Sequence, residues 1–252
     1  MDTLDGLNAQ ARPESDSGPL AIIGAMKTEV ERLVDALQDA RVLDLCGVAA
    51  HAGILEGCDV VIVQCGTGKV NAAACAQAVI GAGVRAVVNT GAAGSLDSTV
   101  GIGDFVVATD CVQHDVDLCN FGYELGQVPG LPVAFEADEG ISRELAQAVA
   151  ATGAHVERGR VASGDLFVRT IDDRQRIAQA FGAICCEMEG AAIAQVCHVR
   201  GVPFAIVRSI SDNADGAQPE SYDDFENAAA WASSRAVHAM LSAHAAGAAP
   251  ED

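Results

Sequence analysis

Short apolar runs and amphipathic stretches alternate along this chain from residue 20 to about residue 243. Runs rich in Val, Ile and Ala occupy 20–24, 49–55, 60–65, 86–90, 104–111, 159–163, 183–188 and 204–209. Most lack a polar residue at every second position, which predicts strands covered on both faces. Between them the spacing becomes helical. Val30, Leu33, Val34 and Leu37 recur at three and four residues and predict a helix over 28–37. An Ala-rich segment predicts another over 71–81, ending at Gly81. Further helices are predicted over 142–151, 173–180 and 190–199. A long closing helix runs from Ser221 to about Ala243, with Asp223 and Asp224 near the positive end of its dipole. This order predicts an α/β protein, a three-layer α/β/α sandwich in one domain over 19–244. Residues 1–18, rich in Asp, Gly, Pro and Ser, read as a disordered tail, and 245–252 as a second tail. The segment 111–138 shows no clear period, and irregular stretches of that length are commonly functional.

Composition narrows the classes of function. Half of the 252 residues are hydrophobic, enough for a large core. The 35 acidic and 15 basic residues leave a net charge of −20. Such a surface repels phosphate backbones and anionic lipid, so neither nucleic acid nor a membrane is expected as a partner. No apolar run approaches the roughly 20 residues of a membrane span, and the N-terminal stretch lacks the pattern of a secretion signal. The nine cysteines are odd in number and show no CxxC spacing. They fit a reducing cytoplasm and give no support to a zinc site.

Three strand ends deliver carboxylates. One apolar run leads through Gly24-Ala25-Met26-Lys27-Thr28 to Glu29, another ends in Glu187-Met188-Glu189, and a third in Ser211-Asp212. In open α/β sheets ligands bind at the carboxyl ends of strands, so acids gathered there suggest acid/base chemistry on a small molecule. Other motifs fall short. Gly66-Thr67-Gly68-Lys69-Val70 resembles a P-loop but has Val63 in place of the first glycine and Val70 in place of the magnesium-binding hydroxyl. Gly91-Ala92-Ala93-Gly94 lacks dinucleotide-binding spacing. His114-Asp115-Val116-Asp117 lacks the second cluster a metal site needs and reads as a hydrogen-bonded loop.

A family resemblance rests on these same segments. They are Ile22-Ile23-Gly24-Ala25-Met26-x-x-Glu29, Gly66-x-Gly68-Lys69-Val70-Asn71-Ala72-Ala73 and Asn89-Thr90-Gly91-Ala92-Ala93-Gly94. Gly103-Asp104, His114-Asp115 and Phe121-Gly122-Tyr123-Glu124-x-Gly126-Gln127-x-Pro129-Gly130 follow. Ser163-Gly164-Asp165-x-Phe167, Glu187-Met188-Glu189-Gly190 and Arg208-x-Ile210-Ser211-Asp212 complete the series. In this order the chain resembles the 5′-methylthioadenosine/S-adenosylhomocysteine nucleosidases of the purine nucleoside phosphorylase-like superfamily. The resemblance implies a central mixed, mostly parallel sheet and hydrolysis of the N-glycosidic bond in 5′-thio adenosines. It implies no metal or organic cofactor, and a homodimer. Cleaving that bond gives the sugar oxocarbenium character and the purine negative charge. The site therefore needs an acid at the base, a base at the water and negative charge at the ribose.

By resemblance, Asp212 protonates purine N7, Glu29 orients and activates water, and Glu189 binds the ribose hydroxyls. Met188 lies beneath the ribose, and Phe167 and Val168 face the adenine. Ser211 and Arg208 orient the acid and its neighbours, and Met26 and Ala92 belong to the binding site. Phe121, Tyr123 and Pro129 enclose the 5′ substituent, partly from the neighbouring subunit. Ala92 is a departure, since the family often carries Ser or Thr there. The missing hydroxyl contact is expected to pass to a backbone amide or to Thr90. A phosphorylase on this fold would place arginines at the glycine turns to neutralise phosphate, whereas the first turn here carries Glu29 and no arginine. Water is the expected nucleophile. The alternatives are a phosphate-dependent phosphorylase, a non-catalytic nucleoside binder, and a nucleosidase for 6-amino-6-deoxyfutalosine or 5′-deoxyadenosine.

Overall fold

The computed structural model describes residues 18–213 and 222–248, with side chains of the last segment over 227–246. Its elements in chain order are β1 (Leu20–Gly24), α1 (Lys27–Asp35), β2 (Gln38–Leu45), β3 (Val48–Leu55), β4 (Cys58–Gln64) and α2 (Lys69–Gly81). Next come β5 (Ala86–Ser95), β6 (Phe105–Gln113), β7 (Ala134–Glu136), α3 (Glu139–Ala151), β8 (Val156–Ser163) and α4 (Ile171–Phe181). Then follow β9 (Ala183–Glu187), α5 (Gly190–Arg200), β10 (Phe204–Asp212) and α6 (Tyr222–Ala248). Among the described residues no helix is long and apolar enough to cross a membrane.

The sheet is mixed and centred on β5. One edge of β5 carries β1, which continues through β4 in parallel and then β3 and β2 antiparallel. The other edge carries β10, parallel to β5 over Phe204 to Asp212. β10 also pairs antiparallel with β6, β6 pairs parallel with β8, and β8 pairs parallel with β9. β9 returns to the projecting end of β5 at Gly94 and Ser95. Five strands thus close on themselves, and β1, β4, β3 and β2 extend from β5 as a wing.

Neighbouring strand residues point to opposite faces, and both faces are covered. Ile23, Val63, Val106 and Ile206 pack with α2 and α5 through Cys75, Val79, Ile193 and Cys197. Ile22, Ile62, Val88 and Val207 pack with α1, α3 and α6 through Leu33, Leu145, Val237 and Leu241. Two covered faces explain the unbroken apolar runs and confirm the layered α/β arrangement.

Several boundaries differ from the sequence expectation. β5 runs to Ser95 and β10 to Asp212, so Gly91-Ala92-Ala93-Gly94 lies within a strand, opposite Arg208 to Asp212. The strand β2 was not expected. It is an edge strand, mostly exposed and paired only with β3, so its apolar positions are few. Its pairing begins at Gln38, and α1 accordingly stops at Asp35 rather than 37. α3 starts at Glu139 rather than 142, because the Asp138 carboxylate caps it by accepting from the Ile141 N–H at 2.9 Å. The expected irregular stretch 111–138 contains the end of β6, a 3₁₀ turn over Cys119–Phe121, and β7. α6 continues to Ala248, so the first residues of the expected C-terminal tail are helical. Residues 1–17 of the expected N-terminal tail over 1–18, the helix start at Ser221 and the tail residues 249–252 lie outside the described residues, as do the side chains of Asp223 and Asp224.

Candidate active site

The carboxyl ends of β1, β4, β5, β9 and β10, with the loop after β8, surround one cavity. Its volume of about 150 Å³ is far above the roughly 10–15 Å³ that one water needs, so it admits an organic ligand. Met26, Glu29, Ala92, Phe167, Val168, Met188, Glu189, Ser211 and Asp212 all line it. Nine of the residues singled out from sequence therefore meet in one place. Arg208 lies beneath the lining, fully buried. Phe121, Tyr123 and Pro129 are exposed on the loop after β6 and do not line the cavity within this chain.

Glu29 sits in the first turn of α1 and is 3% exposed. One carboxylate oxygen accepts from the N–H groups of Ala25 and Met26 at 2.6 and 2.9 Å, and the other from the Ala92 N–H at 3.0 Å. Three amides thus fix its plane. Burial raises its pKa, and the Arg208 charge and the three amides only partly oppose that rise. The site depends on glycine at 91, where a Cβ would lie 2.9 Å from the Glu29 carboxyl carbon and 3.0 Å from Arg208 Nη1. The Ala92 N–H, one expected substitute for the missing hydroxyl, is taken up by Glu29. Thr90 does not substitute, for its hydroxyl is buried away from the cavity with no hydrogen-bond partner among the described residues.

Glu187 ends β9 and was not assigned a role from sequence, although the Glu-Met-Glu pattern marked the segment. Its carboxylate binds the Arg208 guanidinium and the Ser163 hydroxyl and accepts from the N–H groups of Glu189 and Gly190. Burial alone would raise its pKa, but Arg208, Ser163 and Gly190 outweigh burial and hold it below the usual range. Arg208 also donates to Asn89 Oδ1, whose amide is anchored on the Ile23 carbonyl at 2.8 Å. Glu189, the N-cap residue of α5, accepts from the Gly68 N–H at 2.7 Å. Burial first, and then the nearby Glu187 charge, push its pKa up to about 7.

Asp212 is the last residue of β10. The Ser211 hydroxyl lies 2.8 Å from Asp212 Oδ2 and 3.3 Å from the Ala93 carbonyl, its one proton shared between these acceptors. The acid is thereby tied to β5, the strand that also supports Glu29. Three carboxylates on one cavity, each held through backbone or hydroxyl groups, can protonate a leaving group, orient water and stabilise positive charge at separate points. Among the described residues, no three His, Cys, Asp or Glu side chains are grouped to hold a metal ion.

A closed mixed sheet whose strand ends gather acids around one cavity defines an α/β enzyme class acting on a small molecule, and comparison with known proteins narrows it. The chain belongs to the phosphorylase superfamily, whose family model matches residues 19–243. Within that superfamily it is 39% identical over 225 residues to a 5′-methylthioadenosine/S-adenosylhomocysteine nucleosidase of Staphylococcus aureus, covering 88% of this chain and 99% of the relative. The crystal structure of the nucleosidase of that name from Neisseria meningitidis, in complex with methylthio-immucillin-A, superposes with a TM-score of 0.85 at 37% identity. It covers 90% of this chain and 99% of that one. The futalosine hydrolase of Helicobacter pylori superposes with a TM-score of 0.84 at 32% identity, covering 89% and 97%.

Proposed function

We propose that this protein hydrolyses the N-glycosidic bond of 5′-methylthioadenosine and S-adenosylhomocysteine, releasing adenine and the 5′-thio-substituted ribose. The observation that carries this reading is the meeting of Glu29, Glu189 and Asp212 on one cavity. Asp212, oriented by Ser211, delivers a proton to purine N7 as the bond to the sugar breaks. Glu29 positions water at the anomeric carbon and takes its proton. Glu189 accepts the ribose hydroxyls, and its negative charge favours the oxocarbenium-like transition state. Phe167 and Val168 face the adenine, and Met188 packs beneath the ribose.

Water is preferred over phosphate because Glu29 already fills the amide donors of Ala25 and Met26 after β1 and of Ala92 in β5. Arg208, the cation that could receive an anion, is engaged by Glu187. Phosphate 4 Å from an ionised Glu29 would be repelled by about 4 kcal/mol per charge pair at an effective dielectric near 20. Adenine release from methylthioadenosine in phosphate-free buffer, unchanged on adding phosphate, is the expected result. Cleavage that requires phosphate would overturn it.

A nucleosidase for 6-amino-6-deoxyfutalosine or 5′-deoxyadenosine is a second reading, favoured by the likeness to a futalosine hydrolase. The acids would act identically and only the 5′ end would differ, so a panel varying that group separates the two. The 5′ end also motivates a homodimer. Phe121 is 78% exposed and Tyr123 37%, and a second copy over this loop would shelter both and let them enclose the 5′ substituent. We place the protein in the cytoplasm, where its nine unbridged thiols are chemically at home.

A further inference from the structure

We propose that Lys69 and Asp115 are positioning residues for this reaction, their ion pair clasping the turn that holds Glu189 to the loop that carries Phe167 and Val168. The inference rests on the nucleosidase reading above. Neither residue lines the cavity.

The clasp joins three segments. Gly68, in the turn between β4 and α2, donates its N–H to Glu189. The next residue, Lys69, donates its own N–H to Asp165 Oδ1 at 2.8 Å. Its ammonium reaches the end of β6, donating to Asp115 Oδ1 at 2.6 Å and Gln113 Oε1 at 2.9 Å. Asp115 completes the circuit by accepting from the Asp165 N–H on Oδ2 at 2.9 Å. Asp165 lies two residues before Phe167. The circuit therefore fixes the ribose-side wall of the cavity relative to the adenine-side wall.

Close packing makes this circuit specific. Gly68 has φ of +97°, and a Cβ there would lie 3.1 Å from Asp165 Oδ1. A Cβ on Gly164 would meet the Asp115 carboxyl carbon at 3.1 Å and overlap the His114 ring. His114 is buried, with neither ring nitrogen hydrogen-bonded among the described residues, and its ring packs beneath Gly164. The side chains of Lys69 and Asp115 are 17% and 27% exposed, and a partly desolvated, multiply bonded pair is stiffer than an exposed one. Positional errors of about 1 Å can cost a reaction on the order of 100-fold, so a clasp outside the cavity can still govern the rate.

The test is a cycle of Lys69→Met, Asp115→Asn and the double variant. It is read as kcat/KM for methylthioadenosine and for its analogue lacking both ribose hydroxyls. Each single variant is expected to lose about 30-fold on the ribose substrate, and the double variant no more than the worse single. The preference for ribose over the dideoxy analogue should shrink about tenfold, because Glu189 loses its fixed position. Equal losses on both substrates, or single effects that multiply in the double variant, would overturn the proposal. Lys69→Arg, which keeps the charge, should recover most of the lost preference even if Lys69→Met folds poorly, and failure to recover it counts against the clasp. Absence of adenine release by the unaltered chain would instead refute the nucleosidase reading itself.

Discussion

Glu29 in the first turn of α1 and Glu187 at the end of β9 are both buried carboxylates, yet their surroundings separate their roles. Among the described residues Glu29 has no direct cationic partner and accepts from amides alone, so it keeps basicity for a proton. Replacing it with Gln keeps the shape but removes the base. A loss on the order of a thousandfold in kcat is expected, about 4 kcal/mol of transition-state stabilisation. A change confined to KM would mark Glu29 as a binding residue instead. Glu187 is neutralised by Arg208 and cannot serve as a base, but it holds that guanidinium inside the protein. Glu187→Gln would leave Arg208 without its direct counter-charge, and breaking one partner of a buried pair costs about 3–5 kcal/mol. The denaturant midpoint should fall accordingly. An unchanged midpoint would mean that Glu29 and Glu189 balance the guanidinium by themselves.

At the scale of elements, the strand ends define the site. The helix cap at Asp138 is one element boundary that a single change can test. Asp138→Ala removes the acceptor for the Ile141 N–H and should cost about 1 kcal/mol in unfolding free energy, with activity retained. Loss of activity without loss of stability would point to a role for α3 in the site. The buried strands were legible because both of their faces are covered, which leaves Val and Ile unbroken in β1, β4 and β10. Strand β2 was not, because one exposed edge strand needs little apolar sequence. The ends of β5 and β10 were hidden by Gly, Ala, Ser and Asp, which read locally as a turn. They are strand residues because Gly91 must admit Glu29 and because Ser211 and Asp212 face the cavity. The motifs marked Glu29, Glu189 and Asp212, which meet on one cavity, whereas the bonds that join Glu187, Ser163 and Asn89 to one another through Arg208 link distant segments and no local spacing displays them.

At the scale of the molecule, charge buried around one cavity ties stability to pH. Glu189 titrates near 7 in the folded chain against an ordinary 4.5, so the folded form binds the proton more tightly. This contribution is fully present below about pH 4.5 and is lost as pH rises through 7, on the order of 3 kcal/mol for the ligand-free protein. Glu29 acts in the same direction. Glu187, held below its usual range, acts in the opposite direction and gives up its contribution as pH falls. Glu189→Gln is therefore expected to flatten the decline in unfolding free energy between pH 5 and 7.5. A decline of the same size in that variant would assign the effect elsewhere.

The two-sided pairing of β10 also bears on how the protein is made. A ribosome that has delivered the first nine strands has produced neither Asp212 nor the partner that covers the free edges of β5 and β6. Until translation passes residue 212, the nascent chain carries two unpaired borders, the kind of surface that recruits foreign strands. Completion of the cavity wall and protection from aggregation thus arrive together, with the same nine residues. A stop codon anywhere upstream of them should yield insoluble polypeptide rather than a weakened enzyme.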